Sequence, residues 1–123
     1  MRALIVDDSR TMRALIGKLV KELGFDVTEA GNGGQALAEL RNSGAVDLTL
    51  VDWNMPEMNG LEFVRAVRAN PAYGTMKVMM VTSQTEVPQM IRALQAGVDE
   101  YLMKPFTREA IIEKLRLLGI PNI

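Results

Sequence analysis

Three aspartates stand at the ends of short apolar runs. Residues 3–8 read ALIVDD and residues 48–52 read LTLVD, so Asp7, Asp8 and Asp52 each follow branched aliphatic residues. Two later runs also end on reactive groups, Thr82–Ser83 after VMMV and Lys104 after YLM. Carboxylates held together repel, and three of them against one ammonium leave a formal charge of −2. In a partly buried cleft such a group takes up protons or binds a cation. Oxygen ligands suit a hard divalent ion. Mg²⁺ suits best, because it accepts one or two carboxylates, keeps several waters and leaves positions for a phosphate.

Each piece alone has a plainer role. An Asp-Asp pair after an apolar run is usually a turn or helix cap, Thr82 a strand-end hydroxyl, Lys104-Pro105-Phe106 a strand terminator, and Tyr101 a half-buried edge residue. Together the plain roles lose ground, because four separate segments each bring a suitable group to the same end of an element.

Those elements alternate along the chain. The apolar runs are Ala3 to Val6, Phe25 to Thr28, Leu48 to Val51, Val78 to Val81 and a weaker one at Glu100 to Met103. Their length and aliphatic content suit parallel strands buried on both faces. Helical spacing links Met12, Leu15, Ile16, Leu19 and Leu23, with Gly24 as a stop. It recurs at Ala36, Leu37 and Leu40 before Asn42-Ser43-Gly44, and at Leu61, Val64 and Val67 before Asn70-Pro71. A fourth helix carries Met90, Ile91 and Leu94, with Pro88 in its first turn and Gly97 beyond its end. Thr107 is placed to cap a fifth, with Ile111, Ile112, Leu115 and Leu118 on its buried side. Strands each followed by a helix imply right-handed crossovers and a parallel sheet covered on both faces. In such sheets ligands bind beyond the carboxyl ends of the strands, where all the singled-out groups fall.

The totals narrow the chemistry further. With 123 residues, 48% hydrophobic and 24% charged, the chain suits one globular domain with a sizeable core. A net charge of −1 gives no general attraction to nucleic acid or to an anionic membrane. Cysteine and histidine are both absent, which excludes disulfides, thiolate sites, the commonest general base and the commonest transition-metal ligand. No apolar run approaches the roughly 18 residues of a membrane span, and the start does not read as a signal peptide, so a cytoplasmic chain is expected.

In order and spacing, VDDS, VDWNMPEMNG, MVTS and YLMKPF resemble the receiver domains of two-component response regulators. DWNMPEMNG and KELGF are particularly similar to the single-domain chemotaxis regulators of the CheY type. The similarity runs from the first strand through the fifth helix, and implies one receiver domain over residues 1–123. It implies an α/β fold, a doubly wound, flavodoxin-like five-stranded parallel sheet of order 2-1-3-4-5. That order sets the first and third strands side by side, so the three acids converge.

The resemblance also implies roles. Asp52 would accept a phosphoryl group from a phosphohistidine on a partner histidine kinase, which makes the chain a phosphoacceptor that promotes its own phosphorylation and dephosphorylation rather than an enzyme. Asp8, Asp52 and the backbone carbonyl of Asn54 would bind Mg²⁺ directly, with Asp7 acting through water. Lys104 would pair with the phosphoryl oxygens across a cis bond to Pro105. Thr82 would swing toward the phosphoryl group and Tyr101 would turn inward behind it. A target protein would read helix 4, strand 5 and helix 5, including Val87, Met90, Met103 and Lys114; no direct contact with nucleic acid or membrane is expected, and the chain would be a monomer or a phosphorylation-dependent dimer. Ser9, Gln84, Glu86 and Val87 depart from the CheY pattern, and Gln84 and Asn54 flank the path of attacking water. The absence of histidine agrees with a phosphoryl acceptor that is not itself a donor. An aspartyl-phosphate hydrolase would want a second acid where Asn54 stands, and a flavodoxin's phosphate would be repelled by Asp7 and Asp8.

Overall fold

Five short strands form, and Val, Leu, Ile and Met make up at least half of each except β2: β1 (Arg2–Val6), β2 (Asp26–Ala30), β3 (Leu48–Val51), β4 (Lys77–Thr82) and β5 (Glu100–Met103). The computed structural model describes residues 1–83 and 86–120. All pairings are parallel, and the strand order is β2-β1-β3-β4-β5, as the resemblance implied. β3 and β5 have the expected bounds, and β2 lies one residue later at its start and two at its end than expected.

The helices are α1 (Arg10–Glu22), α2 (Gly33–Ser43), α3 (Gly60–Arg68), α4 (Val87–Ala96) and α5 (Arg108–Leu117), with a short 3-10 helix at Pro71–Tyr73. Alternation along the strands divides the core in two. Leu4, Val6, Val51, Val78 and Met80 pack with Leu40, Phe63, Val64, Val67 and Ala93 of α2, α3 and α4. Ala3, Ile5, Leu48, Leu50, Met79 and Val81 face Ile16, Val20, Ile111 and Leu115 of α1 and α5. Burying a side chain as large as Phe63 stabilises the fold by about 2–3 kcal/mol.

Caps set where the helices begin, and therefore where the loops after the strands lie. Ser9, Asn32, Asn59 and Thr107 each accept a hydrogen bond from the first turn of their helix. Thr107 thus caps α5 as expected, and Gly97 closes α4 at φ 112°.

Three apolar residues lie elsewhere than their spacing suggests. Leu15 is exposed on α1, where Val20 takes the buried position, and Ile91 and Leu94 are exposed on α4. α4 fully buries only Ala93, with Met90 and Ala96 partly packed against the core beside it, so it rests by a narrow ridge while Val87, Ile91 and Leu94 stay exposed.

Candidate functional site

Register brings the acids together. Val6 pairs with Val51, so Asp7 and Asp52 are the next residues on adjacent strands. The Asp52 amide donates to the Val6 carbonyl at 2.9 Å, and the Asp7 amide to the Ala30 carbonyl at 3.2 Å. One carboxylate oxygen from each of Asp7, Asp8 and Asp52 lies within 4.8 Å of the others. Asp7 and Asp52 are buried and Asp8 is exposed, so the cluster opens to solvent past Asp8.

Asp7 is held at every polar group. Its Oδ1 accepts from the Ser9 amide at 2.8 Å and its Oδ2 from Lys104 Nζ at 2.8 Å. Its carbonyl accepts from Arg13 at 2.6 Å. Lys104 also lies 3.5 Å from Asp52 Oδ2. The ammonium thus bridges two acids, and the bond that follows it, Lys104–Pro105, is cis as expected.

Asp52 sits less comfortably. Burial raises its pKa above the ordinary value; the Lys104 charge acts against this, Asp7 adds to it, and hydrogen bonds from the Thr82 hydroxyl and the Trp53 amide lower it again. The Trp53 amide donates to Asp52 Oδ1 at 2.8 Å. Net proton affinity remains raised despite one cation and two donors. The pocket as built is short of positive charge, which is the condition a divalent cation relieves. The donor set is oxygen only, so these residues fit Mg²⁺.

Close backbone approach shapes the loop after β3. The Gly60 amide donates to the Trp53 carbonyl at 2.8 Å, and a Cβ at residue 60 would overlap the Asp52 carbonyl. Only glycine allows α3 to begin that close to Asp52. A reciprocal capping box between Asn59 and Glu62 then fixes the start of α3.

Thr82 is fully buried at the end of β4. Tyr101 is 6% exposed, so it is not the half-buried edge residue of the plain reading. Burial first, and then the charge of Asp52, push its phenol pKa up. Asn54 lies exposed two residues beyond Asp52. Gln84 falls outside the described residues. The spacing pattern singled out Asp7, Asp8, Asp52, Thr82 and Lys104, but neither Arg13 nor Gly60. Arg13 did carry a signal, as a cation flanked by the apolar Met12 and Ile16 near the start of α1.

Known proteins resemble the chain in sequence and fold. Residues 3–116 match the family model described as the response regulator receiver domain. A chemotaxis protein CheY homolog of Campylobacter jejuni is 47% identical over 116 residues, 94% of this chain and 89% of that one. The chemotaxis protein CheY of Pseudomonas aeruginosa is 43% identical over 115 residues, 94% of this chain and 93% of that one. Among solved structures, the Vibrio cholerae chemotaxis protein CheY4 superposes with a TM-score of 0.88 at 32% identity, covering 94% of this chain and 96% of its own. On fold, register and sequence together, the chain belongs to the response regulator receiver domain family.

Proposed function

We propose that residues 1–123 form a single CheY-like receiver domain that takes a phosphoryl group from a phosphohistidine of a histidine kinase onto Asp52. One observation carries this reading. A buried carboxylate with a raised pKa lies beside two further acids and within 3.5 Å of a lysine ammonium, at the open end of a parallel sheet. A carboxylate oxygen of Asp52 attacks phosphorus, and the new O–P bond forms as the N–P bond breaks with its electron pair returning to the ring nitrogen. The donor leaves as neutral imidazole because its other ring nitrogen already carries a proton. Such transfer needs positioning and charge neutralisation more than covalent help. Asp52, Asp8 and the Asn54 carbonyl are the proposed ligands of Mg²⁺, which when bound offsets charge between the acids and the incoming phosphate. Asp7, already engaged by Lys104 and the Ser9 amide, acts through water. Lys104 is shared between Asp7 and Asp52, so it is poised to turn toward phosphoryl oxygens.

Thr82 already bonds Asp52, and Tyr101 is already inside. Phosphorylation therefore holds an arrangement the unmodified chain reaches by itself, a shift of populations. The output is the face formed by α4, β5 and α5. Met90, Tyr101, Met103 and Lys114 line an open groove of about 420 Å³ there, with Val87 exposed at the start of α4. A target protein reads that face in a cytoplasmic chemotaxis-type pathway, without direct contact to nucleic acid or membrane, the chain being monomeric or dimerising when phosphorylated.

Acetyl phosphate with Mg²⁺ should add one phosphoryl group by mass to the parent and none to Asp52→Asn. Equal modification of Asp52→Asn would overturn the assignment.

A further inference from the structure

We propose that Arg13 is a positioning residue for the divalent-cation site, acting through the Asp7–Asp8 peptide. The inference rests on the reading of Asp8 and Asp52 as cation ligands. Arg13 reaches back from α1 and donates through Nη1 to the Asp7 carbonyl at 2.6 Å. Its Nε lies 3.4 Å from Glu29 Oε1 on β2, with the Arg13 side chain 18% exposed. Gly31 borders the guanidinium, where even a Cβ would stand 3.5 Å from Nη1.

That carbonyl belongs to the peptide that carries Asp8. The peptide is planar, so holding its oxygen also fixes the direction of the Asp8 N–H and the path into the Asp8 Cα. Among the described residues no side chain pairs with the exposed Asp8 carboxylate. Its position is therefore set through its backbone, and Arg13 is the side chain that anchors that backbone. Glu29 holds the other edge of the guanidinium and keeps the fork aimed at the Asp7 carbonyl. A planar fork makes both contacts at once, which a lysine ammonium cannot do with the same geometry.

Charge and positioning act on cation affinity with opposite signs, and this makes the inference testable. As a nearby positive charge, Arg13 repels Mg²⁺, and its removal would tighten binding. As an anchor of the Asp8 backbone, its removal loosens binding, as loss of partners behind a metal ligand typically does by about tenfold or more. The experiment is Mg²⁺ titration followed by Trp53 fluorescence in the parent, Arg13→Met and Arg13→Lys, with circular dichroism to verify folding. Arg13→Met should bind Mg²⁺ roughly tenfold more weakly despite its extra net negative charge, and Arg13→Lys, with charge unchanged, should also bind more weakly. Equal or tighter binding by Arg13→Met overturns the inference while leaving the cation site intact. If Arg13→Met does not fold, Arg13→Lys decides alone, and parent-like affinity in it overturns the inference. A parent that shows no saturable Mg²⁺ binding brings down the cation-site reading itself, and this inference with it.

Discussion

The two ends of the sheet treat charge in opposite ways. At the amino end, Arg68 of α3 donates to the Gly97 carbonyl at 2.9 Å, the Tyr73 carbonyl at 3.2 Å and Asp99 Oδ2 at 2.8 Å. The same Asp99 oxygen accepts from the Val78 amide at 2.8 Å. One cation meets one anion, and the helix ends, β4 and the approach to β5 are tied together. At the carboxyl end three carboxylates share one ammonium, and the central one has a raised pKa. The backbone follows the same division. Gly97 takes the left-handed conformation at the amino end, at φ 112°, whereas the loop after β3 places Glu57 there at φ 67°. A fold that can balance its charges at one end leaves them unbalanced at the other. Such an imbalance marks a site completed by something from outside the chain.

The largest effect should come from breaking the balanced end. Arg68→Ala removes three hydrogen bonds and leaves Asp99 to the Val78 amide and solvent, so it should cost about 3 kcal/mol in urea unfolding. Mg²⁺ binding should survive in whatever fraction folds, since the clamp and the acids lie at opposite ends of the strands. A cost below about 1 kcal/mol would show the clamp to be ornamental.

The unbalanced end should respond to a cation. Mg²⁺ at ten times its dissociation constant should stabilise the parent by about 1.4 kcal/mol, a rise of a few degrees in Tm. The gain should persist in Arg68→Ala, because distant sites add, and shrink in Asp8→Ala. Equal gains in the parent and in Asp8→Ala would place the cation elsewhere.

Without a cation, neutralising the central acid should stabilise the fold. Asp52→Asn should gain on the order of 1 kcal/mol at neutral pH, the usual size of a functional site's cost. The sign follows from the raised pKa of Asp52. The folded state holds that proton more tightly than the unfolded chain, so the protonated group's contribution is fully present below the ordinary carboxylate pKa of 3.8 and is lost as pH rises through the folded value. The advantage of Asp52→Asn should therefore fade on acidification. An advantage that grew instead would mean a pKa shifted the other way.

The two ends also differed in how far they could be read from sequence. Asp7, Asp8, Asp52 and Lys104 stand directly beyond apolar runs, so strand patterning placed them at the carboxyl end, and family resemblance placed them together. Arg68 and Asp99 carry no such mark; their pairing spans 31 positions and depends on how α3 packs beside α4. Arg13 escaped for the same reason, since its partner is a backbone carbonyl. Leu15, Ile91 and Leu94 mark their helices correctly yet stay exposed, because helical periodicity identifies an apolar stripe without fixing its width. α4 fully buries Ala93 alone, and Ile91 and Leu94 stay outside.

The smallest expected effect concerns the backbone contrast. The Met58 amide donates to the Pro56 carbonyl at 2.7 Å, closing a three-residue turn around Glu57. With positive φ at its centre this is the rare, strained form of γ-turn, and holding a non-glycine residue there costs on the order of 1 kcal/mol or more. Met58, the next residue, packs so closely on Gly33 that a Cβ there would meet its sulfur at 2.8 Å. Gly60, two residues further, is pinned to the Trp53 carbonyl. The strain is thus imposed by the anchored residues that follow Glu57. Glycine at 57 would remove the steric cost but add freedom to the unfolded chain worth about 0.4–1 kcal/mol. The two nearly cancel, so Glu57→Gly should stabilise by about 0.5 kcal/mol in urea unfolding, with unchanged Mg²⁺ affinity. A loss of comparable size would mean that the loop after β3 carries no strain at Glu57, and that the ends of the sheet differ in charge alone.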